Sequence, residues 1–194
     1  DMVATLCGVA VQRIIKLIDD PSNRSNAISA LIPFGADAAE AVPALHKLLK
    51  ESKEMQLKAN IVFVLGYIGA AAAPVLPDML PLTQVKEVRW QLAITLGSLG
   101  VKNDGVESAL LDLLGALEPG VRAMAARSVG RLMFKSDKLV ARLQQLKSKD
   151  ASEDVRSAAA EGLEMRGDKR GKAGKPSKPG TPAVTPPQPP KGEF

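Results

Sequence analysis

Leu65-Gly66-Tyr67-Ile68-Gly69 returns thirty-one residues later as Leu96-Gly97-Ser98-Leu99-Gly100, and the residues leading into each run repeat as well. Within the stretch from Glu54 to Gly100, Leu57, Ile61, Leu65 and Ile68 fall at offsets 0, 4, 8 and 11, and Val88, Leu92, Leu96 and Leu99 keep the same offsets. A basic residue, Lys58 or Arg89, follows the first apolar one in each copy. Such offsets put side chains on one stripe of an α-helix. A helix with one apolar stripe, recurring at about thirty-three residues, buries that stripe only by leaning on the next copy. The stretch therefore predicts a stack of helical hairpins.

The same pattern extends downstream. Glu118-Pro119 opens a unit in which Val121, Ala125, Val129 and Leu132 keep the four offsets, although Phe134-Lys135 stands where a closing glycine is expected. Its second helix, 137–147, carries Leu139, Leu143 and Leu146. The unit before it pairs 87–99 with a helix opening at Asp104, where Glu107 completes a capping-box-like pair. A last half unit has Asp150 and Glu153 as cap and partner, then Val155, Ala159 and Leu163, with Arg166 at an apolar position. That polar ending suits a terminal helix with no neighbour beyond it.

Upstream, Asp20-Pro21 reads as N-cap and first helical residue. The helix it opens carries Ala27, Leu31 and Phe34, closes at Gly35, and has Asn23 in place of the first apolar residue. A second helix follows over 38–50. Val11, Ile14, Leu17 and Ile18 match Val42, Leu45, Leu48 and Leu49 at an offset of 31, so residues 1–20 read as a second helix without its first. Over 70–84, Pro74, Pro77 and Pro81 crowd one short helix, and Pro81 is expected to distort it. The expected units are 1–20 (partial), 21–52, 53–84, 85–117, 118–149 and 150–167 (half), which make one repeat domain over 1–167.

Apolar residues make up 45% of the 194 and aromatics only 3%, so the interior must be Leu, Ile, Val and Ala, which suits helix on helix. One cysteine, Cys7, and one histidine, His46, provide neither an internal disulfide nor a metal cluster, and no cofactor is expected. No run of eighteen apolar residues is present, so no membrane span is expected. The chain reads as soluble and, by default, cytoplasmic, and as a monomer or a part of a longer solenoid. Its charge is unevenly placed: in 168–194, six basic residues against two acidic ones carry +4 of the net +5. Seven of the fourteen prolines lie in the last nineteen residues. A disordered, partly polyproline-II tail is expected there.

Aligned across units, the basic column reads Arg24, Lys58, Arg89, Arg122 and Arg156. Two readings stand: a structural ladder that ties neighbouring units and satisfies turn carbonyls, or a stripe for phosphates. Acidic residues such as Glu54, Glu87, Glu118 and Glu153 precede the column and cancel most of its field, which favours the ladder.

The run Gly35-Ala36-Asp37-Ala38-Ala39-Glu40-Ala41-Val42-Pro43-Ala44-Leu45, the segment Ser152-Glu153-Asp154-Val155-Arg156 and the period of 31 to 34 resemble HEAT repeats, particularly the short bacterial PBS-lyase-like type. That resemblance covers roughly residues 9–166. It implies an all-α, right-handed α-solenoid of about five stacked antiparallel helix pairs, with second helices lining the concave side. The surface it would offer a protein partner is Glu40, Lys47, Asp78, Glu107, Asp112, Lys138 and Arg142, against the reading that this is only a solvated face. Val75, Met79 and Leu82 form either an apolar contact surface or a more deeply buried helix. Trp90 is weighed between a binding anchor and packing against the next unit.

The resemblance implies a non-enzymatic scaffold for protein–protein interaction. Two alternatives stay open: nucleic-acid binding through the basic tail, and a bilin lyase of the PBS-lyase type or its accessory subunit. The His–Glu pairs of deoxyhypusine hydroxylase do not occur here, and Trp90 and Tyr67 fall on first helices, unlike the concave aromatics of HEAT-like DNA glycosylases.

Overall fold

A computed structural model describes residues 2–167; the Lys/Pro-rich segment 168–194, expected to be a disordered tail, and the side chain of Arg166 lie outside the described residues. Among the described residues the helices are α1 (Met2–Ile18), α2 (Arg24–Ser29), α3 (Val42–Glu51), α4 (Met55–Ile68), α5 (Leu76–Met79), α6 (Arg89–Leu99), α7 (Asp104–Leu114), α8 (Pro119–Leu132), α9 (Asp137–Lys149) and α10 (Glu153–Gly167), with tighter 3₁₀ turns over Ile32–Ala41, Gly69–Val75 and Leu80–Gln84. No strand occurs among the described residues. In one layer, A, helices α2, α4, α6, α8 and α10 touch in chain order. In the other, B, the order is α1, the Ile32–Glu51 segment, the Gly69–Gln84 segment, α7 and α9. Each contact joins neighbours in the series, so the chain is an all-α solenoid.

The apolar stripes lie between the layers. Leu57, Ile61, Leu65 and Ile68 of α4 are buried, as are Val88, Leu92, Leu96 and Leu99. Val121, Ala125, Val129 and Leu132 follow suit. Asn23, at the head of the same column, is exposed and instead bonds to Asp20. The run Met55–Gln84 is apolar enough to cross a membrane, yet it doubles back at Gly69 and 56% of its most apolar window is inside the solenoid.

Layer A is held unusually close by small residues. A side-chain carbon added at Gly66 would lie 3.2 Å from the Thr95 Cα, and one at Gly97 would lie 2.8 Å from the Ser128 Cβ. One at Gly130 would lie 2.6 Å from the Gly162 Cα. The two buried hydroxyls at this seam are satisfied across it: Thr95 Oγ1 donates to the Val62 carbonyl at 2.8 Å and Ser128 Oγ to the Ala93 carbonyl at 2.6 Å. An unpaired buried hydroxyl would cost about 1–3 kcal/mol, so these two bonds add a directional constraint on the register between neighbouring A helices.

Between α2, α4, α6 or α8 and the layer B segment that follows it, the chain passes through one residue of positive φ. Gly35 (φ 50), Gly69 (φ 76) and Gly100 (φ 72) supply it. The fourth member of this column is Met133 (φ 49, ψ 47), the only non-glycine residue with positive φ among those described. The closing position after Leu132 is therefore retained, with a side chain in the left-handed region.

Prolines shape layer B. Pro43 and Pro77 sit in the first turns of α3 and α5, where no intrahelical N–H is required. Pro74 and Pro81 break 69–84 into 3₁₀, α and 3₁₀ pieces, the distortion expected of Pro81. Three caps differ from the sequence reading. Asp20 does not cap α2; it accepts from the Ser22 N–H at 3.0 Å and from Asn23 Nδ2 at 2.7 Å, closing a turn whose end, Asn23, is the N-cap. For α7 the cap is Asn103, which accepts from the Val106 N–H at 2.9 Å, and Glu107 accepts from Ser136 Oγ of the next unit at 2.7 Å instead of closing a box. Asp150 accepts from the Ser152 N–H at 2.9 Å, ahead of the helix that starts at Glu153.

Candidate functional site

The basic column sits at the inner edge where each hairpin joins the next. Arg24 Nε donates to the Ile18 carbonyl at 2.9 Å, and Arg89 Nε to the Thr83 carbonyl at 2.8 Å. Arg122 Nη1 donates to the Ala116 and Leu117 carbonyls, both at 2.8 Å, and Arg156 Nη1 to those of Asp150 and Ala151 at 2.8 and 3.1 Å. In every case the acceptor lies five or six residues upstream, at the frayed end of the preceding B segment, where helix carbonyls have no internal partner. Lys58, with a single ammonium in place of a fork, makes no such bond.

Two of these arginines also reach the following unit. Arg89 Nη1 lies 3.4 Å from Glu118 Oε2. Arg122 grips Asp150 with both Nε and Nη2 at 2.8 Å, the two side chains being 14% and 6% exposed. The Arg122 hydrogen bonds hold the Asp150 carboxyl below its ordinary range, and Asp150 in turn raises Arg122. These guanidiniums are occupied by the protein itself and leave little free to grip a phosphate. Arg122 and Asp150 also line, with Leu117, Arg142 and Lys149, an open cleft of about 290 Å³ between the ends of α7 and α9.

A second line of polar contacts crosses layer B. Gln12 Nε2 donates to Glu40, His46 Nε2 meets Asp78 Oδ2 at 2.7 Å, and Arg142 Nη2 donates to the Leu114 carbonyl at 3.0 Å. The His46 hydrogen bond is the main reason the Asp78 carboxyl lies below its usual range. Of the expected contact residues, Glu40, Lys47, Asp78, Asp112 and Lys138 are exposed on layer B, whereas Glu107 and Arg142 are half-buried and tie α7 to the next unit. Val75 and Met79 are corrected: both are fully buried, and Leu82 nearly so, because the broken 69–84 segment lies flat against α4, α6 and α7. They belong to the core and not to a surface. No group of three or more His, Cys, Asp or Glu suited to a metal occurs among the described residues.

The sequence puts Tyr67 and Trp90 on first helices and weighs Trp90 alone as an anchor; the structure brings three aromatics together on layer A. Phe63 and Tyr67 of α4 meet edge to face at 5.0 Å between ring centroids, and Phe63 stacks with Trp90 of α6 at 6.4 Å. Tyr67 and Trp90 are each 42% exposed. The available signal was the repeat itself. Trp90 occupies a column that reads Ser25, Ala59, Ala123 and Ser157 in the other units, so the fold does not ask for tryptophan there.

A family model described as HEAT repeats matches residues 107–173. No curated protein matches the sequence. Among solved structures, a designed armadillo repeat protein in complex with the peptide (KR)4 is similar at TM-score 0.65 and 20% identity, covering 81% of this chain and 82% of that one. An engineered protein is similar at TM-score 0.63 and 18% identity, with 81% and 79% covered. The complex of CpcE and CpcF of phycocyanin lyase from Nostoc sp. PCC7120 is similar at TM-score 0.56 and 22% identity, covering 80% of this chain and 98% of that one. The helical hairpins stacked in two layers make this chain an all-α solenoid, and its residues 107–173 match HEAT repeats.

Proposed function

We propose that the protein is a non-enzymatic scaffold that binds another protein through the exposed face of layer B. The observation that carries this reading is the row Glu40, Lys47, Asp78, Asp112 and Lys138, exposed on successive units of layer B, of which Glu40 and Asp78 also bond to Gln12 and His46 of the preceding units. A surface ordered in advance loses little entropy on binding, which is the advantage of a repeat frame. The mixed signs suit a polypeptide partner better than a polyanion. That the similar designed armadillo protein is in complex with a peptide supports the same use of the fold.

The test is capture of a partner by the intact chain and by Lys47→Glu/Asp112→Lys/Lys138→Glu, with thermal melting as the folding control. Loss of capture at unchanged melting temperature supports the layer B face; equal capture by both sinks it. A second reading, a bilin lyase or its accessory subunit, is favoured by the likeness to the CpcE–CpcF complex. Mixing the protein with bilin and a phycocyanin apoprotein decides it: covalent visible absorbance on the acceptor would replace the scaffold reading.

A further inference from the structure

We infer that the aromatic surface on layer A is a docking site for the chain's own proline-rich segment, Pro176–Pro190. Phe63, Tyr67 and Trp90 form one platform across α4 and α6, with Tyr67 and Trp90 each 42% exposed and Ile94 half-buried beside them. Nothing in the repeat calls for it. Phe63 stands in a column with Ser29, Ile94, Arg127 and Glu161, and Tyr67 in one with Pro33, Ser98, Arg131 and Met165. The next unit also leaves Trp90 open. Gly120 lies against its ring, 3.8 Å from Cδ1 to where a side chain would begin, at a position that carries Ser22, Gln56, Glu87 and Asp154 elsewhere.

Exposed aromatic rings with apolar flanks suit one ligand chemistry in particular. Proline rings are already ordered in an extended polyproline-II strand, so they settle on aromatic faces at little entropic cost. This chain carries proline-rich sequence of the kind that such a ligand needs: Pro176-Ser177-Lys178-Pro179, Pro179-Gly180-Thr181-Pro182 and Pro186-Pro187-Gln188-Pro189-Pro190.

Reach agrees. All A helices run the same way, so Gly167 lies at the same end of the layer as Tyr67, three helices away, or roughly 30 Å at the usual spacing of packed helices. At the rise of about 3.1 Å per residue of extended polyproline, the chain from Gly167 would span up to about 28 Å by Pro176 and about 60–70 Å by the run Pro186–Pro190. The first proline only just reaches the platform, whereas the last cluster reaches it with slack. A tethered segment acts at an effective concentration in the millimolar range, enough for a weak contact of this kind to be mostly formed.

Trp90 is the only tryptophan, so its fluorescence reads the site directly. The full chain is compared with the full chain carrying Pro186→Ser, Pro187→Ser, Pro189→Ser and Pro190→Ser, none of them in the described fold. Docking predicts that acrylamide quenches Trp90 about twofold less in the unaltered chain, with a blue-shifted emission. It also predicts that a peptide of residues 184–194, added at about millimolar concentration, restores that protection to the variant. Equal quenching in the two chains overturns the proposal, as does failure of the peptide to protect. Protection that grows with protein concentration between about 1 and 100 μM places the segment on a second copy and overturns docking within one chain.

Discussion

At single positions the repeat acts as its own control, because four other units show what the fold needs there. Met133 holds φ 49 and ψ 47 in the left-handed region that its counterpart Gly100 (φ 72, ψ 5) enters without a Cβ, while Gly35 and Gly69 share only the positive φ. A left-handed residue other than glycine costs about 1–2 kcal/mol, of which glycine's greater freedom in the unfolded chain returns part. Met133→Gly is therefore expected to stabilise the protein by about 0.5–1 kcal/mol, read as a raised melting temperature, since the residue it removes is 47% exposed and gives up little packing. Gly97 predicts the opposite. A methyl there would lie 2.8 Å from the Ser128 Cβ and 3.1 Å from its Cα, so Gly97→Ala is expected to destabilise by about 2–3 kcal/mol. Adding Ser128→Gly should recover part of that loss, and a double-mutant cycle from chemical denaturation measures how much. Purely additive losses would mean that the seam relaxes elsewhere. Gly66 and Gly97 were legible as parts of a closing run, but their contact role was not, because spacing along one helix does not say which face the neighbouring helix approaches.

Among elements, the joints between units carry the polar energetics. The bidentate Arg122–Asp150 pair links α8 to the turn before α10 while its free Nη1 closes the end of the preceding unit. Asp150→Asn leaves the guanidinium with a poorer partner in a mostly buried place, and a loss of about 2–3 kcal/mol at neutral pH is expected from denaturant titration. The pH dependence has a definite sign. Because Arg122 depresses the Asp150 carboxyl in the folded state, the stabilisation is fully present above the unfolded value of about 3.9 and is lost as pH falls through the folded one. Asp150→Asn should thus flatten the fall of stability with acid below about pH 4, and an unchanged slope would show that other carboxylates govern it. The basic column that carries this joint was readable from sequence as a ladder candidate. Which members reach a carboxylate was not: Arg122 finds Asp150 28 residues on, whereas the Lys58 side chain, in the same column, makes no such ion pair. Caps missed by a residue or more for a similar reason. Asp20, Asp104 and Asp150 are all good capping residues, and the local turn decides whether a carboxylate, Asn103 or Ser136 points at the free amides.

Across the whole molecule, contacts that join only neighbours make stability nearly one-dimensional. Helices α6 and α8 are held on both sides, while α1 is covered by the Ile32–Ala41 segment and α2 and keeps Leu6, Val9 and Leu17 in solvent. Native-state hydrogen exchange should find α1 amides opening about tenfold or more faster than those of α6 and α8; matching rates would mean that the solenoid opens as one unit. The sequence by itself determined the all-α class, the hairpin unit and its period, and the stripes of the core, since helical periodicity and the need to bury one apolar face are local properties written into every unit. Only the tertiary structure decided that Val75 and Met79 are inside, that Thr95 and Ser128 bond across the glycine seam, and that Phe63, Tyr67 and Trp90 meet on one surface. Those facts depend on how one unit rotates against the next, which is fixed by contacts between residues about thirty apart and leaves no periodic trace along the chain.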